Sequence, residues 1–151
     1  MSELRVLVIE DGEEYIRTLG RYLGEGFRLV RAGSGPEALE RLQEQSFDVI
    51  FLDMRFDRAP RELLLGDAVA MAERAGGDAA QGLAFLVENQ GTYVLAALRE
   101  AGITLPVVFS YDFDAEPRRW RHLSERYAPL RYLTDNAGPD SIRAALREAA
   151  S

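Results

Sequence analysis

Two nearly continuous apolar runs, each ending in a carboxylate, most constrain what this chain can fold into: Leu4 to Glu10 (LRVLVIE) and Phe47 to Asp53 (FDVIFLD). Short runs without polar alternation suit strands buried on both faces, as in a parallel sheet covered by helices. Between them, Tyr15, Ile16, Leu19, Tyr22 and Leu23 recur at helical spacing. Gly24 and Gly26 predict the end of that helix before a short strand, FRLVR. Ser34 is placed to cap a second helix, with Pro36 in its first turn and Ala38, Leu39 and Leu42 turned inward.

Two further strands are predicted at LPVVFS (Leu105 to Ser110) and LRYLT (Leu130 to Thr134), with a helix over Pro117 to Tyr127 between them. A last helix is predicted over about Pro139 to Ala149. This alternation predicts one α/β domain over residues 1–151: a doubly wound, flavodoxin-like, five-stranded parallel sheet in the order 2-1-3-4-5. One stretch, at about 57–90, does not fit a simple crossover. RELLLGDAVAMAERA carries Leu64, Ala68, Met71 and Ala75 at helical spacing, and LAFLVENQGTYVLAALREAG continues as one or two helices. An extra helical insertion after the third strand is expected there, near the carboxyl edge of the sheet.

Composition narrows the chemistry. The chain has no cysteine and one histidine, His122, so thiolate and histidine metal clusters are excluded and any metal must take oxygen ligands. Every basic residue is arginine. A net charge of −7 argues against unspecific attraction to nucleic acid and points to a protein partner. The start lacks the pattern of a signal peptide, and no apolar run approaches the ~20 residues of a membrane span, so a cytoplasmic protein without a membrane role is expected.

In the expected topology Glu10, Asp11 and Asp53 lie at the ends of neighbouring strands, where three carboxylates sharing a pocket would call for a cation such as Mg²⁺. Exposed strand-end carboxylates that never meet are the plainer alternative. The helix over Pro117 to Tyr127 carries Arg118, Arg119, Arg121 and Arg126 beside Trp120. With the last helix, that face would suit a partner or a second copy of the chain; a solvated arginine face with Trp120 in the core is the other reading. His122 lies in no nucleophile–acid array.

VLVIEDG resembles the first strand and acidic pair of the receiver domains of two-component response regulators, and DVIFLDMR resembles their phosphoacceptor strand. The likeness extends to GTYVLAALREAGITLPVVFS and RYLTDNAGPDSIRAAL, and covers the chain except the insertion. It implies a signalling module rather than an enzyme, in which Asp53 accepts a phosphoryl group from a histidine kinase or phosphotransfer protein. Glu10 and Asp11, with Asp53, would hold Mg²⁺, and a downstream protein would read the result. Ser110 would be the hydroxyl that senses the phosphoryl group, although it lies one residue early and Tyr111 is the alternative. Tyr132 matches the switch aromatic.

The pattern also departs from the family. Asp135 stands at the position of the family's lysine and Asn136 at that of the following proline. A carboxylate in place of a phosphate counter-ion implies a degenerate site, with Mg²⁺ held weakly or not at all. Arg55 could face the pocket and compensate for the lysine; Arg131 and Arg118 are further candidates. Two other functions compete: a phosphorylation-independent pseudo-receiver adaptor, and an Mg²⁺-dependent phosphohydrolase with Asp53 as nucleophile. The latter needs a second aspartate where Arg55 stands.

Overall fold

Strands and helices alternate along the computed structural model, which describes residues 3–151. Their order is β1 (Leu4–Ile9), α1 (Glu14–Tyr22), β2 (Phe27–Ala32), α2 (Gly35–Glu44), β3 (Val49–Asp53), a 3₁₀ turn (Arg61–Leu63), α3 (Ala68–Arg74), α4 (Ala79–Glu88), α5 (Gln90–Glu100), β4 (Val107–Ser110), α6 (Pro117–Tyr127), β5 (Leu130–Tyr132) and α7 (Pro139–Ala150). The five strands form one parallel sheet in the order β2-β1-β3-β4-β5, as the sequence pattern predicts.

The two-residue period of a strand sorts the apolar runs onto two faces. Leu7, Ile9, Ile50, Leu52, Val107 and Phe109 meet Ala38 of α2, Val94, Leu95 and Leu98 of α5 and Leu123 of α6. Val6, Val8, Val49, Phe51 and Val108 meet Leu19 of α1 and Leu146 of α7 on the other face. All of these strand residues are fully buried. At about 1.5–3 kcal/mol per buried side chain, these faces outweigh the few tenths contributed by local helix propensity. Ser34 caps α2 as expected, its hydroxyl accepting from the Glu37 N–H at 3.2 Å.

The insertion is helical, but the helix predicted through RELLLGDAVAMAERA is broken in two. Gly66 takes φ of 107°, a conformation that ends any helix, and the Asp67 carboxylate then caps α3 by accepting from the Ala70 N–H at 3.0 Å. Gly76 and Gly77, both at positive φ, separate α3 from α4, and a further break at Asn89 divides α4 from α5. Gln90 ties the insertion to the domain. Buried, it accepts from the Leu65 N–H at 2.7 Å and donates to the carbonyls of Leu65 at 3.0 Å and Leu86 at 3.2 Å. Among the described residues, no helix is long and apolar enough to cross a membrane.

Candidate functional site

The carboxyl ends of β1, β3, β4 and β5 lie along one edge of the sheet, which gathers Glu10, Asp11, Asp53, Ser110 and Asp135 there. Asp53 ends β3 and is paired in register with Ser110 of β4. One oxygen of its carboxylate accepts the N–H of Met54 at 2.9 Å. The Met54 carbonyl in turn accepts the N–H of Gly91 at 2.8 Å. A Cβ at Gly91 would lie 2.5 Å from the Asp53 carbonyl oxygen, so this glycine lets α5 abut the acidic strand end. Burial pushes the Asp53 carboxyl up to about 7; Asp11, Glu10 and Glu14 add to the rise, and the Met54 N–H opposes it.

Glu10 is 1% exposed. Its two oxygens accept the N–H groups of Tyr15 at 3.1 Å and Ile16 at 2.7 Å, at the positive end of α1. Burial still raises its pKa, with the two N–H groups opposing. Asp11 accepts the backbone N–H of Arg58, and Arg58 forms an ion pair with Glu14. From the other side, Arg31 donates to the carbonyls of Gly12 and Asp11 at 2.5 and 3.1 Å.

The protein's own donors thus engage the carboxylates expected to hold Mg²⁺. Among the described residues there is no group of three or more histidine, cysteine, aspartate or glutamate side chains arranged to hold a metal ion. Glu10, Asp11 and Asp53 are close enough to perturb one another, but in this arrangement they do not fit Mg²⁺.

On the β4–β5 side, a cavity of about 230 Å³ is lined by Tyr15, Ser110, Tyr111 and Asp135 among others. The Asp135 N–H donates to Asp112 at 3.1 Å, and the residue borders the cavity. The Tyr132 hydroxyl donates to Asp114 at 2.5 Å, and its ring packs at centroid distances of 5.5 Å from Phe113 and 4.6 Å from Trp120. Tyr111 donates its hydroxyl to Glu116. This hydrogen bond raises the Tyr111 pKa and lowers that of Glu116.

Two sequence expectations are corrected here. Arg55 does not compensate at the pocket: it is largely exposed and its Nε lies 3.7 Å from Asp57. Arg131 pairs with Glu148 at 3.1 Å, while Arg118 is exposed. Trp120 packs in the aromatic cluster, in line with the reading that puts it in the core. Arg119 is also drawn inward, donating to Asn89 at 2.6 Å and to Glu116 at 3.1 Å. The sequence reading gave Tyr15 only a place in the first helix and Arg119 only a place on an arginine face, and it gave Arg31 and Arg58 no role at the site. Arg31 alone had a signal, as the last polar residue of a strand predicted beside β1.

No protein-family model matches the chain, and no curated protein matches it in sequence. Solved structures do match. The receiver domain of a Francisella response regulator is 18% identical, with 98% of this chain and 97% of that chain covered and a TM-score of 0.65. A chemotaxis response regulator of Vibrio cholerae is 16% identical over 98% of this chain and 99% of its own, with a TM-score of 0.65. The fold is that of a response-regulator receiver domain. An adenylate cyclase structure from Rhodopirellula baltica is also similar, 20% identical over 98% of this chain and 87% of that one, at a TM-score of 0.66. Within this receiver fold, Asp53 lies at the end of the central strand and Asp135 follows the edge strand β5.

Proposed function

We propose that this chain is a cytoplasmic receiver-type protein-interaction module of two-component signalling, with Asp53 as candidate phosphoacceptor in a degenerate site. One observation carries the reading: Asp53 stands at the end of β3 opposite Ser110, while Asp135 borders the adjoining cavity. Phosphoryl transfer depends on positioning the acceptor and compensating charge on the phosphoryl oxygens. Asp53 meets the first requirement. Around it, carboxylates dominate the charge, and Arg58 is committed to Glu14.

A histidine kinase or phosphotransfer protein would be the donor, and a downstream protein the reader. The chain would be a substrate of phosphorylation, not a turnover enzyme. A second reading, the phosphorylation-independent adaptor, is favoured by the elevated Asp53 pKa: burial favours the protonated, poorly nucleophilic form of the acceptor. Incubation with acetyl phosphate and Mg²⁺ separates the two. A mass gain of one phosphoryl group, lost in Asp53→Asn, supports the acceptor role; no gain under conditions that label a conventional receiver leaves the adaptor.

A further inference from the structure

Beside Asp53, the carboxyl ends of β4 and β5 frame the cavity of about 230 Å³, which phosphoacceptor chemistry at Asp53 leaves unused. Its composition is selective. Phe51 and Ile142 join the Tyr15 and Tyr111 side chains in its lining, while Ser110 and Asp135 supply polar groups. Tyr15 is set against Phe51 with ring centroids 5.0 Å apart, and the Tyr111 hydroxyl is occupied by Glu116.

The charge in this cavity has one sign. No lining residue is basic. Among the described residues, the Asp135 carboxylate has no ion-pair or hydrogen-bond partner; its backbone N–H alone is engaged, with Asp112. Burial raises the Tyr15 phenol above its ordinary range, and Asp53, Glu10 and Asp135 push it further while Ser110 opposes. The chain contains no lysine, so no lysine ammonium of its own can fill this place.

We propose that the cavity binds a primary ammonium group on a short alkyl chain, with Asp135 taking the ammonium and the Tyr15 and Tyr111 side chains taking the methylenes. A carboxylate lining the same cavity as two tyrosines suits an organic cation, because charge and ring quadrupole act in the same direction. Arg119 already places its guanidinium carbon 5.6 Å from the Tyr111 ring centroid, so this ring is used as a cation partner within the protein itself. Anions are rejected by the same carboxylate. A hard metal ion would find a single carboxylate in the lining. Size selects further. At about 30 Å³ per water the space of about 230 Å³ equals roughly eight waters, and it falls below the ~300 Å³ of pockets for drug-sized ligands. A butylamine-sized group fits, whether it is a free amine or the end of a partner's lysine side chain. The site stands whether or not Asp53 is phosphorylated.

The test is a titration of the full chain with n-butylamine, n-butanol and butyrate, followed by amide chemical shifts. The expected result is saturable movement of Tyr15, Ser110 and Asp135 with butylamine, binding at least about tenfold weaker with butanol, and no binding of butyrate. Asp135→Asn, on the surface and away from the core, should weaken butylamine about tenfold while leaving the rest of the spectrum unchanged. Nα-acetyl-lysine methylamide distinguishes the sources: tighter binding than butylamine indicates a partner's lysine, and weaker binding a free amine. Equal shifts from butylamine and butanol, no saturable shift, or an Asp135→Asn titration like that of the parent would overturn the proposal. Acetyl-phosphate labelling of Asp53 is read separately, so failure of the phosphoacceptor reading remains distinguishable from failure of this one.

Discussion

The backbone N–H of Arg58 donates to the Asp11 carboxylate, and the guanidinium of the same residue passes over Gly12 to reach Glu14. One residue of the insertion loop therefore straps the β1–α1 loop from above, while Arg31 holds that loop's carbonyls from β2. The acidic edge carries its own cations.

Removing that internal cation should open the edge to an external one. Arg58→Gln keeps the backbone N–H on Asp11 but deletes the positive charge, so Mn²⁺, used as a paramagnetic stand-in for Mg²⁺, should bind several-fold more tightly at low salt. Gly12→Ala should act in the same direction, because a Cβ there would lie 2.4 Å from the Arg58 guanidinium and 2.2 Å from a Glu14 oxygen. Broadening of the Asp11 and Gly12 amides reads the affinity. Unchanged broadening in both variants would show that Arg58 does not compete for the site.

Asp53 makes stability depend on pH in a predictable direction. Its folded-state carboxyl titrates at about 7 against an ordinary value of 3.8, so the folded protein holds the proton more tightly than the unfolded chain. Stability therefore falls as pH rises from about 4 to about 7 and levels off above. Asp53→Asn, which carries no charge, should be more stable than the parent, by a margin that grows across this window to about 2–4 kcal/mol. Urea unfolding of both proteins at about pH 5 and about pH 8 measures it. A margin independent of pH would mean that Asp53 is solvated like an ordinary aspartate.

How much of this could be read in the chain follows from what each residue depends on. The strand order, the two core faces and the placement of Asp53 rest on the apolar runs, whose two-residue period survives folding because burial dominates their energy. The helix break at Gly66 was hidden, since the apolar spacing of Leu64, Ala68 and Met71 runs straight through a glycine whose φ is set by its surroundings. Arg58 and Arg55 are alike as sequence, both arginines on one loop. Which of them meets Glu14 depends on the path of that loop and has no periodic trace. Glu10 was correctly placed at the strand end, but its capture by the Tyr15 and Ile16 amides requires knowing the angle at which α1 leaves β1.

Gln90 should control the insertion independently of the sheet. Gln90→Leu fills a similar volume but leaves the Leu65 N–H and the carbonyls of Leu65 and Leu86 without their partner. Buried polar groups left unpaired cost about 1–3 kcal/mol each, less where water enters. Amide exchange should accelerate across residues 64–75, while β1 and β3 keep their protection. Uniform acceleration through the whole sheet would instead mean that the insertion and the sheet unfold as one unit.

The last prediction concerns Asp135. A ligand shifts a conformational equilibrium only through contacts that differ between its states. A phosphoryl group on Asp53 and the Asp135 carboxylate carry like charge, which gives β5 no reason to move toward Asp53. Phosphorylation, or beryllofluoride in its place, should therefore leave the Ser110 and Tyr132 amides nearly unshifted in the parent protein. Asp135→Lys supplies a charge-assisted donor at the same place, worth roughly 1.5–3 kcal/mol where it meets the phosphoryl oxygens. In that variant, labelling should slow its own reversal and shift Ser110, while Tyr132 moves only if its hydrogen bond to Asp114 breaks. Combining Asp135→Lys with Tyr132→Phe should then extend the response to β5. Large shifts at Ser110 and Tyr132 in the phosphorylated parent would refute the degenerate site and restore a conventional switch.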